Sequence, residues 1–296
     1  MNIQFINGGL ANQVFQYIFL RHAELAHPGC EPWYLDDSFF YVNQIHNGYE
    51  MENVFGIKAN LLSQTFDADV WDEFIKNKKE GISVPQTLKN FGTDITMYAE
   101  TDNYTDFNPF DGKIMRMFPA NEFHPEITAF DLPNVYYHGY WINKNWLNTY
   151  RDIILSELSF KQMTSPLALS YADRIMTEPS VAIHIRRGDY VTIGWSMQNE
   201  YYYHALEQLS KDYQTFTAFV FSDDLDWCEE HAKELGLHFA PKTVYVSGNT
   251  GTNSYLDLQL MSMCQGLIMS NSAFCYLAAL MNKRLAFYLN PTQREV

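Results

Sequence analysis

The segment with the most reactive chemistry is 184–190, which reads His-Ile-Arg-Arg-Gly-Asp-Tyr and follows a short apolar run. The carboxyl ends of parallel strands face the ligand crevice, so a strand ending here presents polar groups to a ligand. Arg186 and Arg187, followed by a glycine that permits close backbone approach, suit a diphosphate. Asp189 can pair with one guanidinium and fix its direction. The alternative is a purely structural ion pair between Arg187 and Asp189.

A second polar segment, 221–227, reads Phe-Ser-Asp-Asp-Leu-Asp-Trp and follows another apolar run. Asp224 and Asp226 formally make the DxD pattern of metal-dependent sugar-nucleotide enzymes. A helix is predicted to begin here, however, and the first turn of a helix favours acidic residues. We therefore predict that Asp223 or Asp224 caps the helix, that a remaining carboxylate can bind a base or ribose, and that no metal site is present.

Two further strand-to-helix turns carry polar groups. Residues 270–274 read Ser-Asn-Ser-Ala-Phe, and the hydroxyls and free backbone N–H groups at such a helix start can bind an anion. Capping by Asn271 or Ser272 explains the same residues and is compatible with that role. Residues 7–13 read Asn-Gly-Gly-Leu-Ala-Asn-Gln and lack the GxGxxG spacing, so they predict a tight turn with polar side chains in the crevice.

The elements that must position these residues form an alternating pattern. In the C-terminal half, strands are predicted at 181–185, 216–221, 243–246, 267–269 and 285–289, with helices at 200–211, 225–235, 255–264 and 273–282. Ser254 and Asp257 have the spacing of a capping box for the third of these helices. Strands that alternate with helices indicate a parallel, doubly wound sheet.

The N-terminal half opens in the same way, with a strand at 3–6, a glycine turn and a helix at 12–26. Residues 85–135 lack a sustained period, and we interpret them as long loops around a site. A helix at 150–160 leads to Ser165 and Pro166, a plausible boundary. The sequence thus predicts two α/β domains, 1–163 and 164–296.

Composition excludes several classes of protein. The 296 residues include 35 acidic and 20 basic ones, a net charge of −15, which disfavours binding to nucleic acid. No apolar run approaches the roughly 20 residues of a membrane span, and the N-terminus has no signal-peptide pattern. The four cysteines, at 30, 228, 264 and 275, are scattered and favour neither structural zinc nor a disulfide framework. We expect a soluble cytoplasmic protein, with peripheral association at the inner membrane face as an open alternative.

Together these segments resemble the α-1,2-fucosyltransferases of glycosyltransferase family 11, and the match runs nearly end to end. Six motifs occur in the family's order: GGLANQVFQY at 8–17, GYWI at 139–142, HIRRGDY at 184–190, FSDDLDW at 221–227, Asn253 with Asp257, LMS and Cys264, and SNSAF at 270–274. The resemblance implies a GT-B-like architecture of two Rossmann-type domains facing a central cleft. The domain 1–163 would bind the acceptor, and the domain 164–296 would bind GDP-fucose.

The resemblance also implies the reaction: an inverting, metal-independent transfer of fucose from GDP-fucose, the donor substrate, with no cofactor. Arg186 would contact the β-phosphate, and Asn12 would face the reacting centre, where an amide can orient a hydroxyl but cannot act as its base. His184 and Asp223 or Asp224 would lie towards guanosine, and Ser272 and Phe274 towards the phosphates. The complete set of donor-binding candidates is Gly8, Gly9, His184, Arg187, Asp189, Ser222, Asp223, Asp224, Asn271, Ser272 and Phe274.

The aromatic stretch 136–141 suits an acceptor groove because flat rings stack on the apolar face of a galactoside, and Tyr140 and Trp141 are the candidates. Core packing is the alternative for some of these rings. The expected acceptor is a galactose-terminated oligosaccharide or a lipid-linked glycan, as in O-antigen biosynthesis.

Two rival functions stay open: another linkage or sugar nucleotide on the same scaffold, and a catalytically silent glycan- or nucleotide-binding relative.

Overall fold

The computed structural model describes residues 1–29, 32–43, 45–100, 114–128, 134–292 and 294–296. Cys30 and parts of the stretch 85–135 lie outside the described residues. The chain divides into two compact units, Met1–Lys161 and Gln162–Val296. Each unit has a parallel sheet, in which five strands are seen in the described residues.

The N-terminal unit is built around β1, whose apolar residues are buried between β2 and β5. Its sheet has the strand order β2-β1-β5-β3-β4, and every pairing is parallel. The described strands are β1 (Asn2–Phe5), β2 (Trp33–Asp36), β3 (Thr96–Glu100), β4 (Ile114–Phe118) and β5 (Val135–His138). The described helices are α1 (Leu10–Ala26), α2 (Phe39–Val42), α3 (Met51–Phe55), α4 (Leu62–Thr65), α5 (Ala68–Lys79), α6 (Val84–Asn90), α7 (Asn145–Asn148) and α8 (Arg151–Glu157).

The C-terminal unit alternates helices and strands along the chain. Its described helices are α9 (Pro166–Thr177), α10 (Gly188–Thr192), α11 (Asn199–Asp212), α12 (Leu225–Glu230), α13 (Tyr255–Met261) and α14 (Ala273–Met281). Its described strands are β6 (Ser180–Ile185), β7 (Thr217–Ser222), β8 (Lys242–Tyr245), β9 (Gly266–Ile268) and β10 (Phe287–Leu289). Each predicted strand of this half is present within one or two residues of its predicted bounds.

The strand order of the second sheet is β10-β9-β6-β7-β8. The chain proceeds outward from β6 to β8 and then returns to the other side of β6 to form β9 and β10. The order therefore reverses between β6 and β9. In open α/β sheets, ligands bind beyond the carboxyl ends of the strands at such a reversal, so the fold itself indicates where a ligand site lies.

Several local predictions are wrong. The helices predicted at 150–160 and 255–264 end early, at Glu157 and Met261. Residues 85–135 are not long loops throughout, because α6, β3, β4 and a 3-10 turn at Pro125–Thr128 occupy much of their described part. The helix predicted at 225–235 ends at Glu230 and is followed by turns. Ser254 makes no side-chain cap, and the Asp257 carboxylate accepts from Asn249 Nδ2 at 2.7 Å instead of forming a capping box.

Apolar residues fill the space around both sheets, and the cysteines at 228, 264 and 275 are buried free thiols. Among the described residues, no helix combines the length and the apolar character needed to cross a membrane.

Candidate active site

The C-terminal site begins where β6 and β7 end side by side. Ile185, the last residue of β6, is paired with Ser222, the last residue of β7. The next residues of each strand are therefore brought together: Arg186 and Arg187 from one, and Asp223 and Asp224 from the other. The sheet register thus joins the two polar segments that the sequence places 36 residues apart.

Arg186 lies between two carboxylates. Its Nη2 atom donates to Asp189 Oδ1 at 2.6 Å, and its Nη1 atom lies 2.9 Å from Asp223 Oδ2. Its guanidinium carbon lies 5.4 Å from the centre of the Tyr190 ring. A guanidinium has five N–H donors, so these two contacts fix its plane and leave three donors for a ligand. About a third of the side chain is exposed, which keeps those donors accessible.

Arg187 has a different set of partners. Its Nε atom donates to Asp224 Oδ2 at 3.1 Å, and its guanidinium carbon lies 3.4 Å from the centre of the Trp227 ring. Its backbone N–H donates to Asp223 Oδ1 at 2.8 Å. Asp189 pairs with Arg186, and the alternative ion pair between Arg187 and Asp189 is therefore wrong. Arg187 is the more buried of the two arginines and is packed as a structural side chain.

The aspartates of the 221–227 segment have separate tasks. Asp224 is the helix cap, because its Oδ1 atom accepts from the Trp227 backbone N–H at 3.3 Å. The Ser222 hydroxyl accepts from the Asp224 backbone N–H at 3.0 Å and shapes the turn. Asp223 is left to hold Arg186 and the Arg187 backbone. Among the described residues, no group of three or more His, Cys, Asp or Glu side chains is placed to hold a metal ion.

Gly188 leaves room for the Asp223 carboxylate in this arrangement. A Cβ atom built on Gly188 would lie 2.5 Å from Asp223 Oδ2, which is closer than atoms can approach. Any other residue at 188 would therefore displace the carboxylate that holds Arg186. The sequence indicated a glycine for close approach to a ligand, whereas the structure shows a close approach to Asp223.

His184 connects β6 to the 270–274 segment that follows β9. Its Nδ1 atom shares a hydrogen bond of 2.8 Å with Ser270 Oγ, and its ring centre lies 6.0 Å from that of Phe274. Burial, together with the charge of Arg186, lowers the pKa of His184 to about 3. The imidazole is therefore neutral at physiological pH and can offer one donor and one acceptor.

The 270–274 segment forms the other wall of this site. Ser272 caps α14, because its hydroxyl accepts from the Phe274 backbone N–H at 3.2 Å. Asn271 donates from Nδ2 to the carbonyl of Trp195 at 2.9 Å. These contacts place a helix start and its N–H groups at the carboxyl end of β9, next to the end of β6. The hydroxyl that caps α14 therefore lies where the sequence predicts an anion site, and the two roles are compatible.

The N-terminal unit presents its own turn after β1. Gly8 has a φ of 76°, in the left-handed region that favours glycine, and a Cβ there would lie 2.7 Å from Asn12 Nδ2. Gly8 thus lets the chain turn tightly against the half-buried Asn12, whereas Gly9 has a φ of −75° that any residue adopts. The predicted role of these two glycines in donor binding stays a prediction.

Two buried glutamines hold this turn, a function that the sequence analysis missed. Gln13 donates to the carbonyls of Gly8 and Gly48 at 2.9 and 2.8 Å. Gln16 accepts from the Asn7 backbone N–H at 3.0 Å and donates to Asn7 Oδ1 at 2.6 Å. Amide side chains three residues apart on a buried helix face were the available signal, since buried amides need partners.

The acceptor assignment changes for Trp141. Its side chain is only 1% exposed and stacks on Phe19, and its indole N–H donates to Gln4 Oε1 at 2.8 Å. Trp141 therefore packs in the core and cannot stack on a sugar, which corrects the prediction. Tyr140 is partly exposed, and the buried Glu100 carboxylate accepts from its backbone N–H at 2.7 Å. Tyr140 stays an acceptor candidate.

Comparison with known proteins identifies relatives of this chain. The family model described as glycosyl transferase family 11 matches residues 121–295. An alpha-1,2-colitosyltransferase of Escherichia coli is 24% identical, with 96% of this chain and 89% of the relative covered. The O-antigen biosynthesis glycosyltransferase WbnK of Escherichia coli is also 24% identical, with 94% and 89% covered.

Solved structures share the fold. The NodZ alpha-1,6-fucosyltransferase soaked with GDP-fucose has a TM-score of 0.52 at 9% identity, with 95% of this chain and 92% of that chain covered; the same protein is described as coming from Bradyrhizobium. POFUT1 in complex with GDP-fucose has a TM-score of 0.50 at 14% identity, with 97% of each chain covered. These likenesses and the two parallel sheets confirm the predicted GT-B-like fold class.

Proposed function

The chain belongs to glycosyl transferase family 11, and from this premise we propose that it transfers fucose from GDP-fucose to a galactoside hydroxyl. We propose an α-1,2 linkage, inversion at the anomeric carbon and no need for a metal ion. The observation that carries the proposal is Arg186, held by two carboxylates at the point where the strand order reverses.

Charge is the problem that such a site must solve. As the bond between fucose C1 and the β-phosphate oxygen breaks, GDP gains negative charge and the sugar gains oxocarbenium character. Arg186 and Arg187 bring two positive charges, and their partners Asp189, Asp223 and Asp224 bring three negative ones. The paired carboxylates orient the guanidinium of Arg186 and do not add attraction. Stabilisation of the leaving group then comes from its remaining N–H donors, which are fixed before the reaction starts.

The neighbouring α14 start would assist this step. Its first N–H groups point out of the helix beside Ser272, and the helix dipole favours negative charge there. The neutral His184 adds a polar ring atom without a competing positive charge. In the N-terminal unit, Asn12 would orient the attacking hydroxyl. The acceptor would be a galactose-terminated oligosaccharide or lipid-linked glycan, in keeping with the name of the WbnK relative.

The defining experiment measures GDP release from GDP-fucose with and without lactose, followed by linkage analysis of the product. The proposal predicts that lactose stimulates GDP release and that the product carries an α-1,2-linked fucose. Release that lactose does not stimulate, or a product with another linkage, would contradict it.

The similarity to an alpha-1,2-colitosyltransferase favours one second candidate, in which the donor carries colitose. Colitose is fucose without its 3-hydroxyl, so the same phosphate contacts would serve both donors. A side-by-side comparison of kcat/KM for the GDP-linked forms of the two sugars separates them. A site that hydrogen-bonds the 3-hydroxyl would strongly reject the deoxy sugar, and one that does not would accept it.

Transfer is expected to continue in excess EDTA. The Asp224 carboxylate binds Arg187 and the start of α12, which argues against a metal-binding role for the DxD-like pair of Asp224 and Asp226. The rate of GDP release should be the same with EDTA and after addition of Mn²⁺. An activity that EDTA abolishes and Mn²⁺ restores would reinstate the DxD interpretation.

Replacing Gly188 with alanine is expected to lower kcat/KM by roughly tenfold to 100-fold, because the added methyl displaces the Asp223 carboxylate and misdirects Arg186. A double-mutant cycle tests whether the effect depends on Asp223: in an Asp223→Ala background, Gly188→Ala should lower kcat/KM only a little further. Additive losses would show that Gly188 acts in another way.

A further inference from the structure

An exposed apolar surface follows the Arg186 segment. Val191, Ile193 and Trp195 are each 51% exposed, and they lie within five residues at and beyond the end of α10. Single exposed apolar residues are common, but three together beside a charged site suggest a surface that binds something. We call these three residues the apolar shelf.

The indole of the shelf is held in a defined place. The Trp195 backbone N–H donates to the Tyr190 carbonyl at 2.8 Å, and its own carbonyl accepts from Asn271 Nδ2 at 2.9 Å. The indole meets the Tyr190 ring edge-on at 5.8 Å between centres, and Tyr190 in turn lies beside Arg186. Trp195 is thus anchored by both segments that form the donor site, yet half of its surface faces solvent.

We propose that Trp195 is the stacking platform for the acceptor galactoside, an inference that rests on the proposed function. The acceptor hydroxyl must reach fucose C1, the carbon bonded to the phosphate that Arg186 would hold. The Trp195 indole, separated from Arg186 by the single ring of Tyr190, is placed to receive the apolar face of the sugar that carries this hydroxyl. The hydrogen bond from Asn271 to the Trp195 carbonyl links this residue to the 270–274 segment, which would bind the phosphates.

The openness of the shelf favours a glycan over the donor nucleotide. A stacked pyranose needs only one flat face, and the rest of a longer acceptor can extend into solvent. Val191 and Ile193, four and two residues before Trp195, are equally exposed and offer apolar contacts to a second sugar unit. The structure therefore offers a replacement for Trp141, which is buried.

Tryptophan emission provides a direct test. Trp33, Trp71, Trp141 and Trp146 are at most 6% exposed, and the half-buried Trp227 packs against Arg187 and His231, so Trp195 is the most exposed indole. In the presence of GDP, lactose should change the emission saturably, and Trp195→Ala should abolish that change. The same variant should raise KM for lactose roughly tenfold, with KM for GDP-fucose unchanged, and Trp195→Tyr should restore most of the affinity.

Tyr213→Ala is the matched control. Tyr213 is 48% exposed but precedes the amino end of β7, on the opposite edge of the sheet. Its loss should therefore change neither the emission response to lactose nor KM for lactose. A lactose response that survives in Trp195→Ala, a wild type whose emission ignores lactose, or a KM change confined to GDP-fucose would overturn the inference. If the wild type releases no GDP with lactose but its emission still responds, the proposed transfer fails while the platform stands.

Discussion

Replacing Arg186 with alanine is expected to remove about 2–4 kcal/mol of transition-state stabilisation, a loss of roughly 30- to 900-fold in kcat/KM for GDP-fucose. The physical reason is that Arg186 supplies oriented donors to the phosphate that gains charge, and the carboxylates of Asp189 and Asp223 have already fixed its plane. Removal of the guanidinium also leaves those two carboxylates uncompensated where the diphosphate must bind.

Arg187→Ala is the matched control, since it removes the same charge from the adjacent position. Arg187 stacks on Trp227 and pairs with Asp224, so we expect a mainly structural loss and a much smaller effect on the donor. Steady-state kinetics and calorimetric GDP binding on both variants separate the two roles. Equal and mild losses would show that neither arginine is the principal phosphate ligand.

The fold of the C-terminal unit could be predicted because its central strands β6, β7 and β9 are short apolar runs that alternate with helices along the chain. A continuous apolar run indicates such a strand because a parallel sheet buries both faces of its strands. The order of the strands then places the ends of β6 and β9 together. The sequence could therefore place the 184–190 and 270–274 segments at strand ends, while their role as a donor site stays a prediction.

The N-terminal unit could not be predicted as well because its strands carry polar residues whose partners are distant in sequence. Glu100 ends β3 at 3% exposure, and its carboxylate accepts from the backbone N–H groups of Tyr140 and Trp141, about 40 residues away. His138 ends β5 and is also buried. No local pattern identifies such residues as core, so β3 lay within a stretch interpreted as loops and β5 within a predicted acceptor groove.

Within the site, the sequence supplied the residue types but not their pairing. It left open whether Asp223 or Asp224 caps α12 and which arginine Asp189 accompanies. The contacts decide both, because Asp224 accepts from the Trp227 backbone N–H and Asp189 accepts from Arg186. The assignments to phosphate, guanosine and acceptor stay predictions.

Trp141 packs in the core of the N-terminal unit, where it stacks on Phe19. Trp141→Ala is expected to lower the free energy of unfolding by about 3–5 kcal/mol. The reason is a cavity beside Phe19, whose ring centre lies 4.5 Å from that of Trp141, and a buried Gln4 oxygen that loses its donor. Urea unfolding, followed by circular dichroism, measures the change.

Two neighbouring variants make the result specific. Trp141→Phe keeps a ring against Phe19 and removes only the N–H bond to Gln4, so about 1–3 kcal/mol should be lost. Tyr140→Ala removes a partly exposed ring and should cost less stability than Trp141→Ala but weaken the dependence of the rate on the acceptor. GDP affinity of each folded variant should barely change. A Trp141→Ala protein that is as stable as the wild type but binds lactose poorly would return Trp141 to the acceptor site.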